Sequence, residues 1–312
     1  MRIVFMGTPE FALPSLRILL EHEYEISAVL TRPDKPRGRG QQVSFTPIKE
    51  FALEKKLLLL QPESLANSQF VSQLQALQPD VIVVVAFRIL PPEVFTVPKQ
   101  GSFNLHASLL PKYRGAAPLN WAIINGEQET GVTTFFLQEK VDTGKILLQA
   151  RVRIGPDETA GELHDKLAEV GAEIVLQTVR LIELGKAKPR PQDNSLASPA
   201  PKLFKDDCKI NWRQPAARVH NFVRGLSPVP CAWTTHTKLV LKIYRTQLVG
   251  SHAQETQRSK PGEIIQVDKQ SLIVKTGEGA VGILEIQLEG RKRMVIEEFL
   301  RGYTFQVGDI LE

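Results

Sequence analysis

Residues 80–86 read Asp80-Val81-Ile82-Val83-Val84-Val85-Ala86. The five central residues are all apolar and β-branched, which favours a strand that is buried on both faces. Central strands of parallel sheets have this composition, because helices cover them from both sides. The segment therefore predicts an α/β domain built around a mostly parallel sheet.

Short apolar strands and amphipathic helices alternate on both sides of this segment. The other strands are predicted at residues 2–6, 26–31, 57–60, 101–106, 131–137 and 144–154. The helices are predicted at residues 9–21, 46–55, 68–77, 117–125 and 159–184. Thr8 is placed to cap the first helix. The alternation predicts a Rossmann-like, doubly wound, mostly parallel sheet.

The composition of the chain changes after residue 188. Four prolines lie among polar residues between 189 and 205, which predicts an extended, semi-rigid linker. Residues 1–188 are then expected to form one domain. Residues 206–312 contain one helical stretch, 216–226, and several short β-rich runs, which predict a small OB-like β-barrel.

The bulk composition is that of a globular protein. The 312 residues are 42% hydrophobic and 23% charged. No apolar run reaches the roughly 20 residues that a membrane helix requires, so no membrane association is expected. Only Cys208 and Cys231 occur, which implies no disulfide framework and predicts a reducing, cytoplasmic environment.

Positive charge is concentrated in one segment. The formal net charge is +5, and residues 31–49 carry five basic side chains against the single acid Asp34. The basic residues are Arg32, Lys35, Arg37, Arg39 and Lys49. Such a segment favours an anionic partner such as RNA, although a solvated surface loop would have the same composition.

Three polar residues suggest carbonyl chemistry. They lie in Phe103-Asn104-Leu105-His106 and in Val141-Asp142-Thr143-Gly144. Asn104 and His106 are two residues apart, so their side chains share one face of an extended strand. These three groups suit acyl-type transfer, because the amide can stabilise an oxyanion while the imidazole and the carboxylate act on protons. On spacing alone, purely structural roles remain an alternative, with Asn104 at a strand end, His106 buried in the core and Asp142 in a turn.

Other chemistries have little support in the sequence. The turn at Gly7 lacks the G-x-G-x-x-G spacing of a dinucleotide site. The remaining histidines are scattered and no Cys/His cluster occurs, so no metal is expected.

The residues after His106 are more specific. They read Ser108-Leu109-Leu110-Pro111-Lys112-Tyr113-Arg114-Gly115-Ala116-Ala117-Pro118. Together with residues 141–144, this run resembles the active site of the folate-dependent formyltransferases. Residues 5–12, 32–40 and 223–233 resemble those members of the family that act on aminoacyl-tRNA. The resemblance covers essentially the whole chain.

This resemblance implies an activity and a set of site residues. A formyl group would move from 10-formyltetrahydrofolate to the amino group of methionine on initiator tRNA. The implied catalytic residues are Asn104, His106 and Asp142. The implied folate-contacting residues are Ser108, Leu109, Leu110 and Pro111, with Phe87, Arg88, Ile89 and Leu90 lining the pterin pocket.

The same resemblance assigns the acceptor contacts. Lys35, Arg37 and Arg39 are predicted to bind tRNA, and the C-terminal barrel is predicted to be a second tRNA-binding surface. The protein is expected to act as a monomer. A formyltransferase for a small amine, or a noncatalytic RNA-binding protein, remain alternatives at this stage.

Two positions depart from the family pattern. Arg88 stands where many relatives have Gly, but backbone contacts to a pterin do not depend on that side chain. Asn211 stands where Asp is commoner, and it lies outside the catalytic set.

Overall fold

The computed structural model of the protein describes residues 1–37, 42–250 and 259–312. These residues form two compact units. The first unit comprises Met1–Pro118, Thr130–Val152 and His164–Ala200. The second unit comprises Leu119–Glu129, Arg153–Leu163 and Pro201–Glu312.

The first unit is built on a seven-stranded sheet. The strands up to residue 153 are β1 (Arg2–Gly7), β2 (Glu25–Leu30), β3 (Lys35–Arg37), β4 (Gln42–Ser44), β5 (Leu59–Leu60), β6 (Val81–Val85), β7 (Ser102–His106), β8 (Arg114–Gly115), β9 (Glu129–Phe136) and β10 (Ile146–Arg153). The sheet order is β10-β9-β7-β6-β1-β2-β5. The strands from β5 to β7 in this order are parallel, whereas β9 is antiparallel to β7. The predicted doubly wound, mostly parallel sheet is confirmed.

The helices between these strands largely begin where the sequence predicts. They are α1 (Leu13–Glu21), α2 (Pro47–Glu54), α3 (Ser68–Ala76), α4 (Pro92–Phe95), α5 (Pro118–Ile124) and α6 (Ala160–Glu183). The side chains of Thr46 and Asn67 cap α2 and α3 by accepting backbone N–H bonds. The predicted cap at Thr8 is wrong, because a 3-10 turn at Glu10–Ala12 precedes α1 and Pro9 stands at the cap position. Within the described residues, no helix is long and apolar enough to cross a membrane.

Both faces of the sheet are buried, as the composition of β6 predicts. Every residue of β6 is buried. On one face, alternate residues of β1 and β6 pack against Phe70 and Leu74 of α3. On the other face, Leu105 lies so close to Gly171 of α6 that a Cβ on the glycine would be 2.7 Å from Leu105 Cδ2. Each such valine or leucine stabilises the fold by roughly 1.5–3 kcal/mol when fully buried.

The second unit is an antiparallel β domain. The remaining elements of the chain are β11 (Pro199–Ala200), α7 (Ala216–Leu226), β12 (Ala232–His236), β13 (Leu239–Val249), β14 (Ile264–Val267), β15 (Leu272–Lys275), β16 (Ala280–Leu288), β17 (Met294–Val295) and α8 (Ile296–Leu300). The sheet order is β12-β13-β16-β15-β14, and β17 pairs with β16. Val219 and Val223 of α7 pack into its core. By contrast, β11 lies in the first unit, where it pairs with β8.

The C-terminal segment closes this second sheet. Thr235 of β12 exchanges two backbone hydrogen bonds with Glu312, of 2.8 and 2.9 Å. Ile264 of β14 donates a 2.8 Å bond to the carbonyl of Asp309. Because one short segment bonds both edge strands, the sheet must curve until its edges meet. The predicted small β-barrel therefore forms, and its edges are covered.

Candidate active site

The candidate site lies at one edge of the first sheet. The strands β2, β1, β6 and β7 are parallel neighbours, so their carboxyl ends share this edge. The segments that leave it are residues 31–34, 8–12, 86–91 and 107–113. Open α/β sheets bind ligands at this edge, and all of the predicted catalytic and folate-contacting residues lie in or beside these segments, with the exception of Asp142.

His106 ends β7 and is buried. Its Nε2 lies 2.8 Å from the carbonyl oxygen of Tyr113, which can only accept, so Nε2 carries a hydrogen. Its Nδ1 lies 3.8 Å from Oδ2 of Asp142. That separation is longer than a hydrogen bond. Nδ1 is therefore the ring atom that has no hydrogen-bond partner among the described residues, and it lies beside the Asp142 carboxylate.

Asp142 reaches this position through an unusual backbone conformation. Its φ angle is +55°, in the left-handed region that Asp tolerates better than most residues. Its Oδ2 accepts a 2.9 Å hydrogen bond from the backbone N–H of Gly115. The side chain is only 12% exposed, so its charge acts on His106 with little screening by water.

Asn104 presents a free carboxamide on the same face of β7. It is opposite Val84 on one side and Phe135 on the other, and it is half-buried. The ring of Phe135 also meets that of His106 edge-on at 6.5 Å, which confirms that the two polar residues share this face. Within the described part of the chain, the Asn104 amide forms no hydrogen bond. It is therefore available to donate to a ligand.

The stretch from Ser108 to Pro111 is held by two polar residues of neighbouring strands. Thr133 of β9 donates to the Ser108 carbonyl at 2.6 Å and accepts from the Leu110 N–H at 3.1 Å. Gln149 of β10 donates to the Leu110 carbonyl at 2.9 Å. The sequence did not identify Thr133 or Gln149, because single polar residues in a strand form no recognisable pattern.

The segment after β6 has unused backbone groups. The N–H groups of Arg88, Ile89 and Leu90 donate no hydrogen bond to any described residue. Ile89 is 74% exposed, whereas Leu90 is part of the core. Free amides next to an exposed apolar side chain suit a flat heterocycle with polar edges, so these residues fit a pterin.

The Arg88 side chain turns away from such a role. Its Nη1 and Nη2 donate to the carbonyls of Glu63 and Pro62 at 3.0 and 2.7 Å. Burial lowers the pKa of Arg88 from its ordinary value, while the charge of Glu63 opposes that shift. The guanidinium thus ties the segment to residues 62–63.

The basic segment, residues 31–49, is anchored to the fold through the carboxylate of Asp34. Lys49 pairs with Asp34, and Gln61 donates to Asp34 Oδ1 at 2.9 Å. These hydrogen bonds, that of Lys49 first, hold the pKa of Asp34 below its ordinary value. Lys49 also lies 3.9 Å from the ring centroid of Phe45. Lys49 is therefore neutralised within the fold rather than free for a partner.

Two of the predicted tRNA-binding residues lie in a short hairpin. Lys35 and Arg37 lie on β3, which pairs with β4 as a hairpin that the sequence did not predict. Arg39 lies outside the described residues. Because the hairpin follows β2, it leaves the sheet at the same edge as His106.

Gly115 couples this site to the segment after residue 198. Its φ is +131°, and a Cβ there would lie 2.4 Å from the carbonyl oxygen of Ala200. We expect Gly115→Ala to lower the free energy of unfolding by roughly 1–3 kcal/mol through this contact, in addition to backbone strain. Denaturant unfolding measures the loss. Gly185→Ala is the matched control, because Gly185 has φ +64° and nothing within 4 Å; equal losses for the two variants would contradict the role of the Ala200 contact.

Among the described residues, no group of three or more His, Cys, Asp or Glu side chains could hold a metal ion. The polar groups at the edge of the sheet are instead an amide, an imidazole and a carboxylate, with free backbone amides beside them.

Comparison with known proteins gives matches along the whole chain. Residues 1–179 match the formyl transferase family, and residues 202–304 match the C-terminal domain of formyl transferases. The methionyl-tRNA formyltransferase of Caldanaerobacter subterraneus subsp. tengcongensis is 49% identical over 314 residues, with 100% of both chains covered. The methionyl-tRNA formyltransferase of Porphyromonas gingivalis is 47% identical, with 97% of this chain and 96% of that one covered.

Solved structures share the fold at lower identity. WlaRD, a sugar 3N-formyl transferase solved with dTDP and 5-N-formyl-THF, has a TM-score of 0.67 and 21% identity, covering 94% of this chain and 99% of its own. HypX from Aquifex aeolicus, solved with tetrahydrofolic acid, has a TM-score of 0.64 and 21% identity, and this chain spans 50% of its length. At such identities these structures establish the fold alone.

Proposed function

The chain belongs to the formyl transferase family, and on that premise we propose that it transfers the formyl group of 10-formyltetrahydrofolate to the amino group of methionine on initiator tRNA. The observation that carries the reaction is the free Asn104 amide on the same strand face as His106, whose Nδ1 lies 3.8 Å from Asp142. The observation that carries the acceptor is the 49% identity to a methionyl-tRNA formyltransferase along the full length of both chains.

The reaction begins with attack by a neutral amine. A free α-amino group titrates near 8, and the adjacent ester lowers that value, so little base strength is required. The amine nitrogen bonds to the formyl carbon and forms a tetrahedral oxyanion. The Asn104 amide and the protonated Nδ1 of His106 stabilise that oxyanion.

Collapse of this intermediate breaks the bond between the formyl carbon and N10 of the folate. The amine gives up one proton and N10 gains one, so no net proton is consumed. Asp142 assists by accepting the proton of the amine and by balancing the charge of His106. Ser108, Leu109, Leu110 and Pro111 contact the folate, and the segment of Phe87, Arg88, Ile89 and Leu90 lines the pterin pocket through its free backbone groups.

Direct transfer requires no covalent enzyme intermediate. A thiol ester would require a thiolate. Burial raises the pKa of Cys231 to about 11, and it raises the pKa of Cys208 as well. Both thiols are therefore protonated near neutral pH, which supports attack by the amine itself.

The acceptor is assigned to two basic regions. Lys35, Arg37 and Arg39 contact the tRNA near its acceptor end. The hairpin of β3 and β4 supports this assignment, because it leaves the sheet at the edge that carries His106. In the C-terminal domain, Arg245 and Arg293 are paired with carboxylates of Glu162 and Glu285. The basic residues there that form no ion pair with a described residue include Lys238, Lys242, Lys260, Arg291 and Lys292.

We assign catalysis and the first set of tRNA contacts to residues 1–188. The second tRNA-binding surface is assigned to residues 206–312, and residues 189–205 join the two domains. The three catalytic residues belong to one chain, which supports action as a monomer. Initiator tRNA is charged and used in the cytoplasm, so this function places the protein there.

A formylation assay tests the function. The purified protein is mixed with 10-formyltetrahydrofolate carrying a labelled formyl group and with methionyl-initiator tRNA. We expect acid-precipitable label on the charged tRNA and none on uncharged tRNA. An amino sugar nucleotide is the competing acceptor, and label on that compound alone would overturn the assignment. Binding of tRNA without any transfer would indicate an RNA-binding protein.

Neutralising the hairpin should affect tRNA specifically. We expect Arg37→Ala/Arg39→Ala to raise the KM for tRNA and to reduce the slope of log affinity against log salt by roughly 0.7–0.9 for each lost phosphate contact. Binding at several salt concentrations measures that slope. Lys55→Ala/Lys56→Ala is the matched control, because these residues precede β5 and thus lie at the opposite edge of the sheet. An unchanged slope for the hairpin variant would exclude it from the tRNA interface.

A further inference from the structure

Gln192 lies in the proline-rich segment predicted as a linker, yet its side chain is fully engaged. Its Nε2 donates to the carbonyls of Asp142 and Gly144, at 3.0 and 2.8 Å. Its Oε1 accepts from Nε and Nη2 of Arg114, at 3.1 and 2.6 Å. The two N–H donors and the two oxygen lone pairs of the carboxamide are all used.

The segment that carries Gln192 is anchored in the first unit. Asn194 accepts from Nη2 of Arg114 at 2.8 Å, and Ser198 Oγ accepts the backbone N–H of Tyr113 at 2.9 Å. The strand β11 then pairs with β8. This segment is therefore a fixed support for Gln192 rather than a free tether.

The loop that Gln192 bonds, at residues 142–144, contains strained and closely packed backbone that such a support would stabilise. Asp142 occupies the left-handed region at φ +55°, which costs a non-glycine residue of the order of 1 kcal/mol or more. Gly144 of the same loop packs closely against β9, since a Cβ on Gly144 would lie 1.6 Å from the carbonyl oxygen of Phe136. The two bonds from Gln192 hold the peptide group between Asp142 and Thr143 and the peptide group between Gly144 and Lys145.

We propose that Gln192 is a positioning residue that sets the Asp142 carboxylate relative to His106, a role that rests on the proposed formyl transfer. The Asp142 Oδ2 lies 3.8 Å from Nδ1 of His106 without a direct hydrogen bond between them. No contact within that pair fixes their separation, so the separation depends on the loop. Gln192 and the Gly115 N–H hold Asp142 itself, through its carbonyl and its carboxylate. The Phe136 N–H, Gln138 and the Lys140 carbonyl bond the Thr143 and Lys145 part of the loop.

Gln192→Glu isolates this role. Glutamate has the same shape and would still accept from Arg114, but it cannot donate to the two loop carbonyls and would repel them. Gln75→Glu is the matched control, because Gln75 is exposed on α3 of the same unit and undergoes the same change of charge. The measurements are kcat, KM for each substrate, and amide hydrogen exchange of residues 139–145.

For Gln192→Glu we expect kcat to fall roughly 10- to 100-fold with little change in either KM, because the binding residues are untouched. Exchange in residues 139–145 should accelerate, while the control should change neither quantity. In an Asp142→Asn background the same substitution should cost much less, since the residue that it positions no longer carries a charge.

Three outcomes would overturn the proposal: unchanged exchange in the loop, unchanged kcat, or an equal loss of kcat in the Asp142→Asn background. A wild-type protein that transfers no formyl group to any acceptor would refute the proposed function instead. Even then, the exchange measurement decides whether Gln192 holds the loop.

Discussion

Asn104→Ala should lower kcat by roughly 100- to 1000-fold, because the amide donates to an oxyanion that exists only in the transition state. The KM values for folate and tRNA should change little, since this interaction is weak in the ground state. Steady-state kinetics with labelled formyl donor measures both. The stability of the protein should be unaffected, because the side chain gives up no hydrogen bond to the described residues.

Asn104→Asp separates donation from shape. Aspartate is nearly isosteric with asparagine, but its ionised carboxylate has no N–H and would repel the oxyanion. We therefore expect it to be at least as inactive as the alanine variant. If Asn104→Asp retains wild-type turnover, the side chain only fills space and the oxyanion role is wrong.

Asp142→Asn should reduce kcat by roughly 100-fold or more, within the usual range for an acid–base group. The asparagine oxygen can still accept the Gly115 N–H, so the loop should stay folded while the charge beside His106 is lost. Initial rates at saturating substrate measure the loss, and thermal unfolding checks the fold.

A second His–Asp pair, His164 and Asp165, provides a control for the loss of the Asp142 charge. Asp165 lies 2.9 Å from Nδ1 of His164 on the exposed face of α6. Asp165→Asn removes the same carboxylate from a His–Asp pair that has no proposed role, so kcat should not change.

A double variant of His106→Asn with Asp142→Asn should have a kcat little lower than that of the worse single variant, because the two residues act as one unit. Additive losses would show that they act independently.

Most elements of the fold could be predicted from local patterns. The buried run at residues 80–86 appears as β6, and the long apolar stripe after residue 158 appears as α6. These predictions succeed because the period of apolar residues, the caps and the turns depend on neighbours only a few positions away. The reversed direction of β9 relative to β7 could not be predicted, since strand pairing depends on the path of the chain between them.

The candidate site also has features that could be predicted from the sequence and features that could not. The amide and imidazole of Asn104 and His106 lie on one strand, so the two-residue period already places them on one face. The basic composition of residues 31–49 was visible, but the neutralisation of Lys49 by Asp34 was not.

Residue types, strand and helix positions and the family resemblance are properties of the linear chain, because they depend on composition and short-range periodicity. The 3.8 Å approach of Asp142 to His106, the grip of Gln192 on a loop 50 residues earlier and the closure of the barrel by residues 309–312 are properties of the folded molecule. Each joins backbone segments that are far apart along the chain. Such contacts form only when packing of the whole sheet brings those segments together, and no local pattern encodes their distance.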